Sequence, residues 1–207
     1  MGREIDFLQF PKIARTRVST EKARKVARKF GREFFDGKRE NGYGGYRYDG
    51  RWVPVAQRLV RHYRLGAGDR VLDVGCGKGF LVKDLLSLDI DACGIDISKY
   101  AISNAVVPCV EVANAKKLPF FPESFDLAVS INTIHNLPEN EVRLALKELM
   151  IVSTDQYVVL DAYRTRAEKQ RIYDWNLTAQ TILSVDQWLK LFRAVGYTGD
   201  YSWTIMR

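Results

Sequence analysis

A glycine-rich bend between a buried strand and a helix constrains this chain more than any other sequence feature. Residues 70–75 (RVLDVG) are predicted to form a short buried strand, and residues 80–88 (FLVKDLLSL) the helix that follows it. The connecting Gly75, Gly77 and Gly79 let the backbone turn sharply and let a ligand approach closely. In a parallel sheet such a turn lies at the carboxyl edge of the strands, where ligands bind.

Strand and helix patterns alternate through the rest of the chain. Repeated strand–helix–strand units predict an α/β fold with a doubly wound, mostly parallel, seven-stranded sheet covered by helices on both faces. The last residues, 197–207, suit a C-terminal antiparallel hairpin. The other strands are predicted at residues 91–96, 109–114, 125–131 and 156–163, and the helices near 99–105, at 138–152 and at 184–197.

An N-terminal extension precedes this α/β unit. Apolar residues at spacings of three and four over residues 19–35 predict an amphipathic helix, capped by Ser19 or Thr20 and stopped by Gly37. Residues 36–52 interleave five glycines with three tyrosines and a tryptophan, which predicts an ordered or ligand-ordered loop. We expect residues 1–54 to form a helical extension with a lid loop, and residues 55–207 the ligand-binding domain.

The composition is that of one globular domain, with 46% hydrophobic and 28% charged residues. No apolar run reaches the roughly 20 residues of a membrane span, and the first residues lack the apolar stretch of a signal peptide. Three cysteines and two histidines show no metal-ligand spacing. We therefore expect a cytoplasmic protein with reduced thiols, no membrane span and no metal.

Positive charge is concentrated in the first third of the chain. Residues 1–64 contain 17 Lys/Arg against 7 Asp/Glu, whereas the remainder contains 15 against 18. Such a patch could attract nucleic acid, an anionic small molecule or a membrane surface. The alternative is an ordinary solvated helix face.

Two carboxylates indicate which ligand the bend suits. Asp96 ends the second strand, where it could accept both hydroxyl hydrogens of an adenosine ribose. Asp73 precedes Gly75 by two residues, which is unfavourable beside a pyrophosphate but suits the sulfonium and ammonium charges of S-adenosylmethionine. A dinucleotide fingerprint would also need glycine in place of Phe80. The remaining alternative is a glycine turn without a ligand.

Three stretches, the last of which covers a third and a fourth motif, resemble the class I S-adenosylmethionine-dependent methyltransferases, and the resemblance extends over roughly residues 55–205. They are VLDVGCGKG at 71–79, GIDIS at 94–98 and ANAKKLPFFPESFDLAVSINTIHNL at 113–137. The block YGGYRYDGRW at 43–52 is similar to one in a subgroup of small bacterial methyltransferases, several associated with surface-polysaccharide and secondary-metabolite pathways.

This resemblance implies a Rossmann-like fold, S-adenosylmethionine as cofactor and S-adenosylhomocysteine as product. It also implies which residues hold the cofactor. Asn114 stands where the family often has Asp, and its amide oxygen could accept the same hydrogen bond. The implied set is Asp73, Gly75, Gly77 and the Cys76 backbone for the methionine part, Asp96 for the ribose, Ile97 for the adenine, and Asn114, Ala115 and Ile131 in the third and fourth motifs.

The acceptor is expected at the carboxyl ends of the fourth and fifth strands. His135 is a candidate general base, the alternative being a histidine that hydrogen-bonds the loop or shapes the cofactor pocket. Tyr163 is a second catalytic candidate, and Arg164 could pair with a phosphate or carboxylate. The alternative for both is strand-end capping and surface charge. His62, within a helix predicted over residues 53–65, is expected to be structural.

The loop 43–52 is the preferred lid, which would close over cofactor and acceptor and exclude water. The alternative is that its aromatic residues staple the N-terminal helix to the core. The residues assigned to the lid and the acceptor are Tyr43, Tyr46, Arg47, Tyr48, Arg51 and Arg164.

Together these features predict a methyltransferase that O-methylates a small, anionic or glycan-like acceptor. An RNA methyltransferase is the alternative, in which the basic N-terminal segment binds phosphates and its aromatic residues stack on bases. A noncatalytic binding module that retains the fold is a third possibility.

Overall fold

In the computed structural model, which describes residues 2–9 and 18–206, the strands form one sheet with the order β3-β2-β1-β4-β5. Both β6 and β7 pair with β5, and all the described strand pairs are parallel. The seven strands are β1 (Arg70–Val74), β2 (Asp91–Asp96), β3 (Val110–Val112), β4 (Phe125–Ile131), β5 (Ser153–Tyr163), β6 (Leu183–Ser184) and β7 (Asp200–Thr204).

Helices cover both faces of this sheet, as the alternating pattern predicts. Leu72 on β1 belongs to a core cluster with residues of the helices Glu139–Val152 and Val185–Val195, whereas the adjacent Val71 packs with residues of the helices Val53–Tyr63 and Phe80–Leu86. Side chains alternate across a strand, so one strand supplies both clusters. The helices are α1 (Glu21–Ala27), α2 (Arg32–Phe35), α3 (Val53–Tyr63), α4 (Phe80–Leu86), α5 (Lys99–Ser103), α6 (Glu139–Val152), α7 (Arg166–Trp175) and α8 (Val185–Val195).

The C-terminal antiparallel hairpin predicted from the sequence is wrong. The last strand, β7, runs parallel to β5, with Tyr157 opposite Asp200 and Asp161 opposite Thr204. Its direction follows from α8, because a helix between two strands returns the chain to the starting edge of the sheet. On its other side β7 bonds to the N-terminal segment, where the Ile5 N–H donates to the Tyr201 carbonyl at 2.8 Å.

The single helix predicted over residues 19–35 is interrupted. Thr20 caps α1 as expected, since its side chain accepts a hydrogen bond from the Ala23 N–H at 3.1 Å. The chain then leaves the helix, and Phe30 has a positive φ of 48°. The Phe30 carbonyl accepts a hydrogen bond from the Ser98 hydroxyl, which draws this part of the chain onto α5.

The structure contains a helix, α7, that the sequence analysis did not predict. Its signal is a capping box, in which the Thr165 side chain accepts from the Glu168 N–H and Glu168 accepts from the Thr165 N–H. The same device begins α8 at Ser184 and Gln187. Of the helices in residues 2–9 and 18–206, none has the length and apolar character needed to cross a membrane.

Candidate functional site

The turn after β1 is tied to β2 through its backbone. The N–H groups of Gly75 and Cys76 both donate to the Ile95 carbonyl, at 2.7 and 2.9 Å. Gly75, Gly77 and Gly79 have φ values of +89°, +57° and +74°, which side chains rarely tolerate. The three glycines therefore adopt the backbone conformation that a sharp strand-to-helix turn requires.

Asp96, at the end of β2, is oriented by two backbone donors. One carboxylate oxygen accepts from the Gly77 N–H at 2.8 Å, and the other from the Ser98 N–H at 2.8 Å. Burial raises the pKa of this carboxyl, and the two N–H groups offset that rise only in part. Each oxygen keeps a further lone pair, so the group can still accept from a ribose diol.

Asp73, on β1, is a buried carboxylate without a hydrogen-bond donor. Its residue is 5% exposed, and no described backbone or side-chain donor contacts it. Burial, followed by the nearby negative charge of Asp96, raises the pKa of Asp73 to about 7. A buried anion of this kind is stabilised by a cationic ligand. Asp73 and Asp96, the two carboxylates that the sequence analysis singled out, are thus close enough for the charge of Asp96 to raise the pKa of Asp73.

The other implied cofactor residues occupy the rim of the same edge. Ile97 follows β2 and is 55% exposed, so its side chain is available to pack on a ring. Asn114 already accepts a hydrogen bond from the Lys116 N–H through its amide oxygen, at 3.1 Å. Ala115 and Ile131 are half-buried. The Cys76 N–H is committed to Ile95, which leaves the predicted contact from that backbone group without a free donor.

The loop over residues 43–52 lies over the glycine turn. A side chain added at Gly77 would come within 3.2 Å of the Tyr46 ring, and that ring stacks on Phe80 with centroids 4.7 Å apart. Burial, with Tyr43, Asp73 and Asp96 adding to it, raises the pKa of the Tyr46 phenol well above its usual value. The half-buried Tyr46 therefore covers the turn from the side of the lid loop.

The remaining lid residues divide into anchored and solvated groups. Tyr43 packs against Tyr46, with centroids 4.4 Å apart. Tyr48 donates to the Asp84 carboxylate on α4. Arg51 pairs with Asp49 inside the loop, and Arg47 is exposed without a described partner. These contacts are compatible with both the lid and the staple.

His135, in a short 3-10 turn after β4, is 2% exposed. Its Nδ1 accepts from the Asp161 N–H at 3.1 Å, and its Nε2 lies 3.5 Å from the Asp161 carboxylate. Burial lowers the pKa of His135, although Asp161 opposes this shift. The general-base role stays a prediction, and these contacts favour the alternative of a histidine that shapes the loop.

Tyr163 ends β5 and Arg164 follows it, and both side chains contact other residues of the protein. The Tyr163 hydroxyl lies 3.4 Å from the Gln187 amide oxygen, and its ring packs beside the Lys169 ammonium. Arg164 pairs with Glu4 at 3.1 Å, so its guanidinium is engaged with the N-terminal segment. His62, expected to be structural, bonds to Asp200 at 3.0 Å.

The sequence analysis missed a polar network beneath the carboxyl edge. The Asn176 amide donates to the Asp161 carboxylate, and its oxygen accepts from the N–H groups of Thr178 and Ala179 at 2.8 and 2.7 Å. No sequence motif marks this network, because its members lie on separate segments that only the fold brings together.

The pocket residues fit S-adenosylmethionine. Asp73 is a buried carboxylate whose ionised form a positive group would stabilise, Asp96 presents acceptors oriented by backbone N–H groups, and the glycine turn allows close backbone approach. No group of three or more metal-ligating side chains occurs in the part of the chain that the structure describes.

Comparisons with known proteins support the same identification. A family model described as a methyltransferase domain matches residues 72–155. The 27-O-demethylrifamycin SV methyltransferase of Amycolatopsis mediterranei is 29% identical over 138 residues, which cover 54% of this chain and 50% of that protein. The tRNA (carboxymethyluridine(34)-5-O)-methyltransferase of Arabidopsis thaliana is 31% identical over 144 residues, covering 67% and 34% respectively.

Solved structures agree on the fold. A methyltransferase of Anabaena variabilis assigned to an antibiotic biosynthesis pathway superposes with a TM-score of 0.56 at 20% identity, covering 69% of this chain and 60% of that one. The chain spans about half or less of the length of the two curated relatives. The motifs, these relatives and the match over residues 72–155 show that the chain contains a class I S-adenosylmethionine-dependent methyltransferase domain.

Proposed function

We propose that this protein transfers a methyl group from S-adenosylmethionine to an oxygen of a small, anionic or glycan-like acceptor. The observation that carries the proposal is Asp73, a buried carboxylate whose pKa is raised to about 7 and which lacks a described donor. Ionising this group in the ligand-free protein costs free energy, because burial and the charge of Asp96 disfavour its charged form. A positively charged ligand removes that cost.

The chain's own residues divide the work of binding the cofactor. Asp73 attracts its positive groups, Asp96 accepts from its ribose, and the turn at Gly75 and Gly77 allows close approach. Tyr46 covers the turn and excludes water. When bound, S-adenosylmethionine supplies an electrophilic methyl group, and the protein's part is to align the acceptor with it.

We assign residues 55–207 to cofactor binding and residues 1–54 to covering the site and admitting the acceptor. Helix α1 packs toward the acceptor end, since Arg24 donates to the Tyr173 carbonyl at 2.6 Å and Arg28 to the Ala179 carbonyl at 3.3 Å. The segment thus extends from α5 to the loop after α7. Its positive charge supports an anionic acceptor. The relative from Amycolatopsis is named for a small-molecule acceptor and for an oxygen position.

For a hydroxyl acceptor, a proton must leave during the reaction. His135 remains the proposed base from sequence, with Tyr163 and Arg164 proposed beside it, but the Nδ1 of His135 is already occupied by the Asp161 N–H. We therefore also consider that His135 orients the carboxyl ends of β4 and β5, and that solvent takes the proton.

A second candidate is methylation of RNA. Lys22, Lys25 and Lys29 are exposed on one side of the α1 segment, and none forms an ion pair with a residue that the structure describes. Such a row could bind phosphates. The Arabidopsis relative is named for a tRNA nucleoside.

Calorimetry with purified protein tests the first step. We expect S-adenosylmethionine and S-adenosylhomocysteine to bind, NAD and ATP not to bind, and Asp73→Asn to weaken binding of both sulfur ligands. A screen of small hydroxy acids, glycans and bulk tRNA, scored by release of S-adenosylhomocysteine, then identifies the acceptor class. Tight binding of NAD in place of the methyl donor would refute the proposal.

A further inference from the structure

The glycine turn contains a buried lysine that the proposed chemistry does not use. Lys78 stands between Gly77 and Gly79 and is 8% exposed. Its ammonium donates to the Asp36 carboxylate at 2.6 Å and to the Tyr46 carbonyl at 3.0 Å. A lysine this buried needs an anionic partner, because an unpaired ammonium out of water is costly.

Asp36, which directly follows α2, joins three separate parts of the site. Besides Lys78, its carboxylate accepts from the Tyr100 hydroxyl on α5 at 2.7 Å and from the Tyr46 N–H at 3.0 Å. The adjacent Phe35 is buried against Tyr46, with ring centroids 5.6 Å apart. The contacts of one carboxylate therefore fix the lid backbone, the cofactor turn and α5 together.

We propose that Asp36 is a positioning residue that neutralises Lys78 and holds Tyr46 over the turn, so that the pocket favours the sulfonium cofactor over its product. The inference rests on the proposed function, because it assumes that S-adenosylmethionine binds at this turn. Asp36 itself need not touch the ligand.

The charges around the turn give the physical reason. Asp73 and Asp96 make the pocket attractive to a cation, and Lys78 lies in the same turn with the opposite charge. Paired with Asp36, Lys78 contributes little net field; unpaired, it repels a sulfonium. S-adenosylhomocysteine lacks that charge and is otherwise nearly the same ligand. The Asp36–Lys78 pair therefore affects the two ligands differently.

Asp36 is ionised throughout the neutral pH range. Its partial burial acts to raise the pKa of the carboxyl, but Lys78, Tyr100 and the Tyr46 N–H outweigh that effect and lower it. The neutralising charge is thus present at every pH at which the enzyme would work.

Calorimetric dissociation constants for both ligands test the proposal. Asp36→Asn keeps the size of the side chain and removes its charge. We expect affinity for S-adenosylmethionine to fall about tenfold and that for S-adenosylhomocysteine about twofold, a shift in preference of about fivefold. Glu33→Gln is the matched control, since Glu33 lies in α2 and forms an exposed pair with Arg32. We expect it to change neither constant.

Lys78→Met should shift the preference in the opposite direction, because it leaves the negative charge of Asp36 in place. The double variant Asp36→Asn with Lys78→Met should return the preference to that of the wild type. Limited trypsin digestion adds a readout without ligand: Asp36→Asn should be cleaved faster between residues 28 and 51, because the lid has lost its anchor.

Each other result decides against the inference. If Asp36→Asn weakens the binding of both ligands equally, Asp36 has a purely structural role. If it changes neither dissociation constant, Asp36 has no role in binding. If Asp36→Asn does not fold, the sign of the Lys78→Met shift decides alone. Failure of the wild type to bind either ligand would instead refute the proposed function, and that outcome is distinct from all the others.

Discussion

Thr133 fills the space that a side chain on Gly75 would occupy. A Cβ built on Gly75 lies 2.2 Å from both the hydroxyl oxygen and the methyl carbon of Thr133, and the φ of Gly75 is +89°. The residue that follows β4 by two positions therefore packs directly on the turn that follows β1. This contact joins the turn that we propose holds the cofactor to the strand end that we propose faces the acceptor.

Gly75→Ala should consequently destabilise the whole domain. We expect the free energy of unfolding to fall by about 2–4 kcal/mol, because both the clash and the positive φ oppose any side chain. Chemical denaturation measures this directly. Gly31→Ala is the control, since a Cβ there has no heavy atom within 4 Å and φ is −90°. A Gly75→Ala protein as stable as the wild type would contradict the observed packing.

The raised pKa of Asp73 predicts a pH dependence of both stability and binding. Without ligand, the folded protein holds the proton up to about pH 7, whereas an unfolded chain releases it near 3.8. Folding therefore takes up a proton between these values, and this group lowers stability as pH rises from about 4 to 7. Asp73→Asn should raise the melting temperature of the ligand-free protein by several degrees at pH 8 and change it little at pH 4.

The affinity for S-adenosylmethionine should rise with pH, whereas the stability contributed by Asp73 falls with pH. A cationic ligand favours the ionised Asp73, so S-adenosylmethionine affinity should rise as pH increases from 6 to 8, with release of a proton on binding. Calorimetry in buffers of different ionisation enthalpy counts that proton. Affinity that is flat over this range would show that Asp73 does not meet the ligand's charge.

Tyr46 distinguishes the lid from the staple. Tyr46→Ala should weaken cofactor binding about tenfold while changing the melting temperature by no more than about 2 °C, since the loss is confined to the ring contacts with Phe80, Tyr43 and Phe35. Tyr46→Phe, which keeps the ring, should behave as the wild type. A large loss of thermal stability with unchanged binding would instead support the staple.

Much of the sheet could be predicted because its strands are short, apolar and bounded by turn residues. The sequence boundaries of β2 and β4 agree with the structure to the residue, and the capping role of Thr20 is confirmed. The direction of β7 could not be predicted in this way. A terminal apolar segment has the same pattern in a hairpin and in a parallel crossover, and only its pairing with β5 separates the two.

The parts of the candidate site that lie within one motif could be predicted from the sequence. The parts that the fold assembles from distant segments could not. Asp73, Gly75 and Gly77 lie within nine residues of sequence, whereas Asp36 reaches Lys78 across 42 positions. Nothing in the local pattern of Asp36 distinguishes it from a surface acid after a helix. The burial of His135 was equally hidden, because the Asp161 N–H that it accepts from is 26 positions away.

His135 can be assigned by a substitution that preserves its hydrogen bond. His135→Asn retains an acceptor for the Asp161 N–H, so we expect the fold to persist and turnover to fall by less than about tenfold if the residue only shapes the loop. A general base would instead lose about 100-fold or more. Measuring kcat against pH adds a check. Burial lowers the pKa of His135, so if this residue is the general base, kcat should fall with decreasing pH only below about pH 6.5.

Charge reversal of Lys22, Lys25 and Lys29 distinguishes a small-molecule acceptor from an RNA acceptor. Reversing all three charges to Glu should lower kcat/KM for a small anionic acceptor only about two- to threefold at low salt, because screened long-range attraction is all that is lost. For RNA, the same change should remove about three phosphate contacts and reduce the slope of log affinity against log salt by about 2.

Reversal of Lys147, Lys190 and Arg193, which are exposed on α6 and α8, gives a control of identical net charge. We expect this control to match the wild type with either acceptor, since these helices lie against the sheet and outside the N-terminal segment. If both triple variants lose RNA turnover equally, the effect is one of overall charge. Loss confined to the α1 variant, together with the smaller salt slope, would favour RNA as the acceptor over a small molecule.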